Sequence, residues 1–163
     1  MSAGGFGYVA ACVLAALFVV AAIAKARDVD ATRRSFDALG VPNAATFARV
    51  VPAIEVTIAV ALLAAPPIGG AAALMTLAFF TTFLASRWRA GVRAPCACFG
   101  TATAAPLSIV KLVDNAFLIA AGVAATAAAR PTVPAVPDVA AAVGVLAVAV
   151  AVHRVLQGRQ RAI

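Results

Sequence analysis

Apolar runs close to the length of a bilayer crossing constrain this chain more than any motif in it. A membrane helix needs about 20 predominantly apolar residues, and such runs lie at Phe6–Ala24, Val50–Ala65, Ile68–Ser86, Leu107–Ala128 and Val139–Leu156. With 64% apolar residues and a mean hydropathy of +1.04, the sequence lies far above the roughly half-apolar average of soluble domains. It reads as an all-α integral membrane protein. The expected architecture is a four-helix transmembrane bundle core with a fifth, C-terminal transmembrane helix. Residues 1–128 form the core, and residues 129–163 supply a Pro-rich connector, the fifth span and a basic tail.

Between the second and third spans stands only Pro66-Pro67-Ile68-Gly69-Gly70. It reads as a tight turn in which proline stops one helix and glycine permits the reversal, making the two spans antiparallel neighbours. The first run is read as a mature span because Met1 to Gly5 carry no Lys or Arg and the run exceeds a usual signal-peptide core. Alanine dominates every span, and the scattered Gly, Ser and Thr allow close helix approach where lipid removes the hydrophobic drive between helices.

The net charge of +7 is a topology signal here rather than a nucleic-acid one. Lys25, Arg27, Arg33, Arg34, Arg49, Arg87, Arg89, Arg93, Lys111, Arg154, Arg159 and Arg161 fall on one side of the membrane, and Arg130 alone falls on the other. The positive-inside rule then places the N-terminus outside and the residue 87–111 loop and the C-terminus in the cytoplasm. The expected location is the cell inner membrane. Between the first two spans, Asp28 or Asp30 can cap a short helix that carries Phe36 and Leu39 on one face and ends at Gly40 and Pro42. This segment is expected to be a short interfacial helix.

Ionisable groups inside spans cost roughly 2.5–3.5 kcal/mol on insertion scales and mark functional candidates. Glu55 lies about five residues into the second run, a depth of about 8 Å at about 1.5 Å per residue. Its neighbours Val56, Ile58 and Ala59 cannot satisfy a carboxylate, so it needs a partner on another helix or must hold a proton. Lys25 closes the first span and can also snorkel to phosphates. Lys111 and Asp114, three apart, can neutralise one another; Asn115 follows. Five-span topology puts Lys25, Glu55, Lys111, Asp114 and Asn115 in one half of the bilayer.

The same half bears Cys96-Ala97-Cys98-Phe99-Gly100. In a Cys-x-Cys unit the Cα atoms lie about 5.5–7 Å apart, overlapping the disulfide window, but the small ring stores strain. Such a bridge is easily reduced and suits exchange better than stapling. The arginines at 87, 89 and 93 favour thiolate. The competing reading is a pair of reduced, inert loop cysteines. Cys12 reads as a small packing residue. One histidine, His153, and no carboxylate cluster leave no ordinary zinc or di-iron site.

Lys25 with Asp28, the Phe-x-x-Leu-Gly-Val-Pro stretch from Phe36 to Pro42, Pro52-x-x-Glu55, and above all Cys96-Ala97-Cys98-Phe99-Gly100 together resemble the methylamine-utilisation MauE family, within the DoxX-like membrane proteins. The resemblance covers about residues 6–128. It implies a four-helix core similar in outline to quinone-linked disulfide-forming enzymes, exchanging disulfides with a thioredoxin-like partner. It makes Cys96 and Cys98 the redox pair, with Phe99, Gly100 and Arg93 as supporting residues, Glu55 as the buried acid of the second span and Lys25 as the cation of the first. Asp114-Asn115 departs from the Arg-Asn pair often found at that position.

The family's association with maturation of a disulfide-rich dehydrogenase subunit conflicts with a cytoplasmic thiol pair. The leading expectation is a membrane thiol/disulfide redox protein linked to a quinone, with no covalent cofactor. A second is a non-catalytic subunit or assembly factor of a larger membrane complex. A third is Cu(I) binding by the two thiolates, against which the presence of only two methionines weighs.

Overall fold

The computed structural model describes residues 3–94 and 107–128. Within them the chain forms α1 (Ala3–Arg27), α2 (Val29–Leu39), α3 (Ala44–Ala64), α4 (Pro66–Arg89) and α5 (Ile109–Thr126). Four of these, all but α2, are long and apolar enough to cross a membrane. They close a ring in which α1 and α4 each touch both α3 and α5, and α1 meets α4 only across the diagonal. The fifth span expected at 139–156 lies outside the described residues.

The corner after α1 is capped as its residues dictate. Asp28 accepts the Ala31 N–H at 2.8 Å, and the fully buried Thr32 donates its hydroxyl to the Asp28 carbonyl at 3.0 Å. Gly40 ends α2 in the left-handed conformation at φ 76°, which glycine adopts without a Cβ penalty. The Arg87 guanidinium packs where a Cβ on Gly40 would stand. Phe36 of α2 is buried against Ala44, Ala48 and Val51.

That stripe explains why α3 starts six residues before the apolar run does. Ala44, Ala48 and Val51 recur at helical spacing, and α2 supplies the surface they need. Glu55 is therefore 11 residues beyond the start of α3, about 16 Å along the axis at about 1.5 Å per residue, twice the expected distance.

The turn between α3 and α4 is also tighter than its sequence suggests. Ala65 alone separates the helices, and Pro66 and Pro67 begin α4, where a missing N–H costs nothing and the proline φ is preset. Gly69 and Gly70 lie inside α4 and serve close approach rather than reversal. A Cβ on Gly69 would collide with the backbone at Ala61 and Leu62, and one on Gly70 would stand 2.9 Å from the Thr126 nitrogen.

Gly7 meets the backbone at Ala124 of α5 and at Ala128 just beyond it in the same way, and Gly122 packs on Leu74. All these approaches sit at the α3–α4 turn end of the bundle. The other end is lined by Phe36, Phe80, Phe83, Leu39 and Leu84, which border a cavity. Thr57 and Thr82 face outward and donate to carbonyls of their own helices, at 2.9 Å and 3.0 Å, which satisfies their hydroxyls without a neighbour.

Replacing Gly69 by alanine forces the α3 and α4 backbones apart at this clasp. The expected loss is about 1–3 kcal/mol, read as a lower unfolding midpoint of the detergent-solubilised protein.

Candidate functional site: a buried ion pair beside an apolar cleft

Lys25 enters the bundle from the last turn of α1, with its backbone held by the corner just described. Its carbonyl accepts from Thr32 at 3.4 Å. From this anchor its ammonium donates to Glu55 Oε1 on α3 at 2.7 Å. Lys25 is 2% exposed and Glu55 8%, so the pair is sealed from bulk water. At such a distance in a poorly polarisable interior the attraction is strong, yet each ion has lost its hydration. Pro52 lies one turn before Glu55 inside α3 and lacks the N–H that would bond to Ala48.

Among the described residues, only one carboxylate oxygen of Glu55 is satisfied. Glu55 Oε2 is buried and has no hydrogen-bond partner among the described residues. Lys25 and Glu55 line a small cavity of about 70 Å³ together with the buried Asn115 of α5 and Thr76 of α4. Glu55 and Thr76 also line a second space of about 510 Å³ between α3 and α4. Its outer wall includes Ile54, Met75 and Phe79, which are 45%, 69% and 68% exposed on helices able to cross a membrane. The two spaces share Phe36, Phe80 and Phe83 as aromatic walls.

The structure thus brings Lys25, Glu55 and Asn115 together and leaves the other α5 candidate aside. Lys111 and Asp114 are half-buried and line neither space. Arg93 is exposed and folds back, donating to the Trp88 carbonyl at 3.0 Å with its guanidinium 5.7 Å from the Trp88 ring centroid. Cys12 is half-buried on α1 and carries a free thiol. Cys96, Cys98, Phe99 and Gly100 lie outside the described residues.

The ends of their segment are described. The Leu107 N–H donates to the Ala94 carbonyl at 3.0 Å, and Leu107 is buried with Leu39 and Leu84. Both of those leucines line the small cavity. The departure and return points of the 95–106 segment therefore sit together over the end of the bundle that holds the ion pair.

The aromatic walls were the part of this site least legible beforehand. Phe80 and Phe83 are three apart on α4, and Thr76 lies one turn before Phe80. That spacing marks one helical face, but apolar spacing in a membrane helix does not distinguish a cleft wall from ordinary packing.

These features define a multi-pass helical membrane protein with a buried Lys–Glu pair between its helices and an apolar cleft leading to it. A family model described as methylamine utilisation protein MauE matches residues 4–130, and the chain belongs to that family. No curated protein and no solved structure matches it.

Removing one partner of a buried pair leaves an uncompensated ion, at a cost of about 3–5 kcal/mol. Lys25→Met and Glu55→Leu are each expected to lower the unfolding midpoint strongly. The double variant, which replaces both ions by apolar groups, should recover most of the loss; a double variant destabilised by the sum of the two single losses would show that the pair is not coupled.

Proposed function

We propose that the protein is a membrane thiol/disulfide redox protein in which Cys96 and Cys98 exchange with a thioredoxin-like partner and with a membrane quinone. What carries the reading is the tie between Ala94 and Leu107, which brings the two ends of the cysteine-bearing segment together at the end of the bundle that holds the ion pair. Cys96 is two residues from Ala94, so chain length alone keeps their Cα atoms within about 7 Å. The family match supports the membrane setting, and the strained Cys-x-Cys spacing supports reversible bridging.

In the oxidising direction, a partner thiolate attacks one sulfur of the Cys96–Cys98 disulfide and the other cysteine leaves as thiolate. The partner's second thiolate then attacks the mixed disulfide, so the partner gains its disulfide and Cys96 and Cys98 are left reduced. Returning them to the disulfide releases two electrons and two protons. A bound quinone supplies the two-electron, two-proton couple that accepts them, and reversing every step reduces the partner instead.

The residues present fit such a ligand. The orphaned, buried Glu55 Oε2 can hold a proton or accept a hydrogen bond, Thr76 and Asn115 add polar groups, and the cleft volume of about 510 Å³ lies within the range of about 300–1,000 Å³ usual for small-molecule sites. Glu55 would take or give the accompanying proton, and Lys25 would steady its carboxylate. The charge distribution favours an inner-membrane orientation with the N-terminus outside and the cysteine pair cytoplasmic, which directs exchange to cytoplasmic thiols.

The test is labelling with a membrane-impermeant maleimide in a Cys12→Ala background, paired with exchange assays. The expected result is labelling of Cys96 and Cys98 only in inverted vesicles and only after reduction, with exchange abolished in Cys96→Ser and in Cys98→Ser. Labelling from outside would reverse the orientation. Unreduced labelling together with full function in the double serine variant would remove the redox reading and favour an assembly subunit.

A further inference from the structure

We propose that the space between α3 and α4 is a lateral entrance from the bilayer through which a long-tailed hydroquinone reaches Glu55, its ring hydroxyl donating to the carboxylate. This deepens the quinone-linked reading and rests on it for the identity of the ring. Three observations converge on the site.

The first is the orphaned oxygen. Glu55 Oε1 is taken by Lys25, while Oε2 is buried without a partner among the described residues, and the side chain is 10% exposed. A buried acceptor left unmade costs about 1–3 kcal/mol, more for a charged group. A ligand that brings a donor removes that cost, and one that brings only acceptors does not. A hydroquinone hydroxyl donates; a quinone carbonyl cannot.

The second is the route. The larger space is bounded by Glu55 and Thr76 within and by Ile54, Met75 and Phe79 at the apolar perimeter. At the far end of the same two helices Gly69 packs against the backbone at Ala61 and Leu62. A ligand arriving by this path leaves its tail among lipid-facing side chains and carries its head inward.

The third is the aromatic lining. Phe36, Phe80 and Phe83 border both spaces, and flat rings gain from edge and offset contacts with such walls beyond simple area burial. This favours a ring over an aliphatic alcohol or a monoacylglycerol, which would satisfy Oε2 equally well.

The test is equilibrium binding to the full chain in nanodiscs under anaerobic conditions without added reductant, so that each ligand keeps its oxidation state. The ligands are a decyl-substituted benzohydroquinone, its dimethyl ether, the oxidised quinone and dodecanol. The hydroquinone should bind at least about tenfold more tightly than the ether or the quinone, the scale of one hydrogen bond to a charged group, and more tightly than dodecanol. Glu55→Gln, which keeps an acceptor oxygen but loses its charge, should reduce the preference for the hydroquinone over its ether. Because that variant also breaks the ion pair, Thr76→Phe provides an independent check: filling the junction of the two spaces without touching the pair should weaken hydroquinone binding at least about tenfold.

Equal binding of hydroquinone and ether, equal binding of dodecanol, or unaltered binding by Thr76→Phe would each overturn the proposal. The Cys96→Ser/Cys98→Ser variant separates it from the redox reading. Retained hydroquinone selectivity there supports the entrance whatever becomes of thiol exchange, and normal exchange in wild type without selective binding overturns the entrance alone.

Discussion

The bond between Lys25 and Glu55 is the constraint to which the described structure is fitted. An ionised side chain among membrane helices is tolerated when it meets a partner, and these two lie 30 residues apart in sequence on different helices. Bringing them to 2.7 Å sets the relative height of α1 and α3. The short, sharply capped α2 makes that height possible, because it folds back on the first turns of α3 and lets α3 begin well before the level at which Lys25 arrives.

Packing along the bundle is unequal, and the inequality has a chemical consequence. Toward the α3–α4 turn, glycines at 7, 69 and 70 let backbones approach until no side chain fits between them, and Gly122 receives the Leu74 side chain. Toward the ion pair, phenylalanines and leucines line two spaces without filling them. A carboxylate oxygen with no partner among the described residues, beside an apolar cleft, is an expensive arrangement in a low-dielectric interior. Its persistence here gives the family membership a site on which chemistry can be sought.

Much of the scaffold was legible residue by residue. The four long helices follow from apolar runs, the Asp28 cap and the Gly40 stop from local turn chemistry, and the candidacy of Lys25, Glu55 and Asn115 from the cost of polar groups in lipid. The start of α3 was not legible, since Ala44 and Ala48 become a buried face only when Phe36 lies against them. Gly69 and Gly70 were read as a reversal because glycine serves turns and close contacts alike, and sequence alone carries no neighbour to tell the two apart. The convergence of Asn115 with the pair, and the exclusion of Asp114, likewise depended on which face of α5 turned inward.

By itself the sequence determined that this is a membrane protein of long helices, because burial of so much apolar surface in lipid and internal satisfaction of backbone polar groups leave a chain of this composition little else to form. It also named the ionisable residues that lipid would not tolerate alone. Only the tertiary structure decided that Lys25 answers Glu55, that one carboxylate oxygen is left over, and that a cleft opens toward it between α3 and α4. Those outcomes depend on how helices distant in sequence are rotated and staggered against one another, and the period of a single helix does not contain that information.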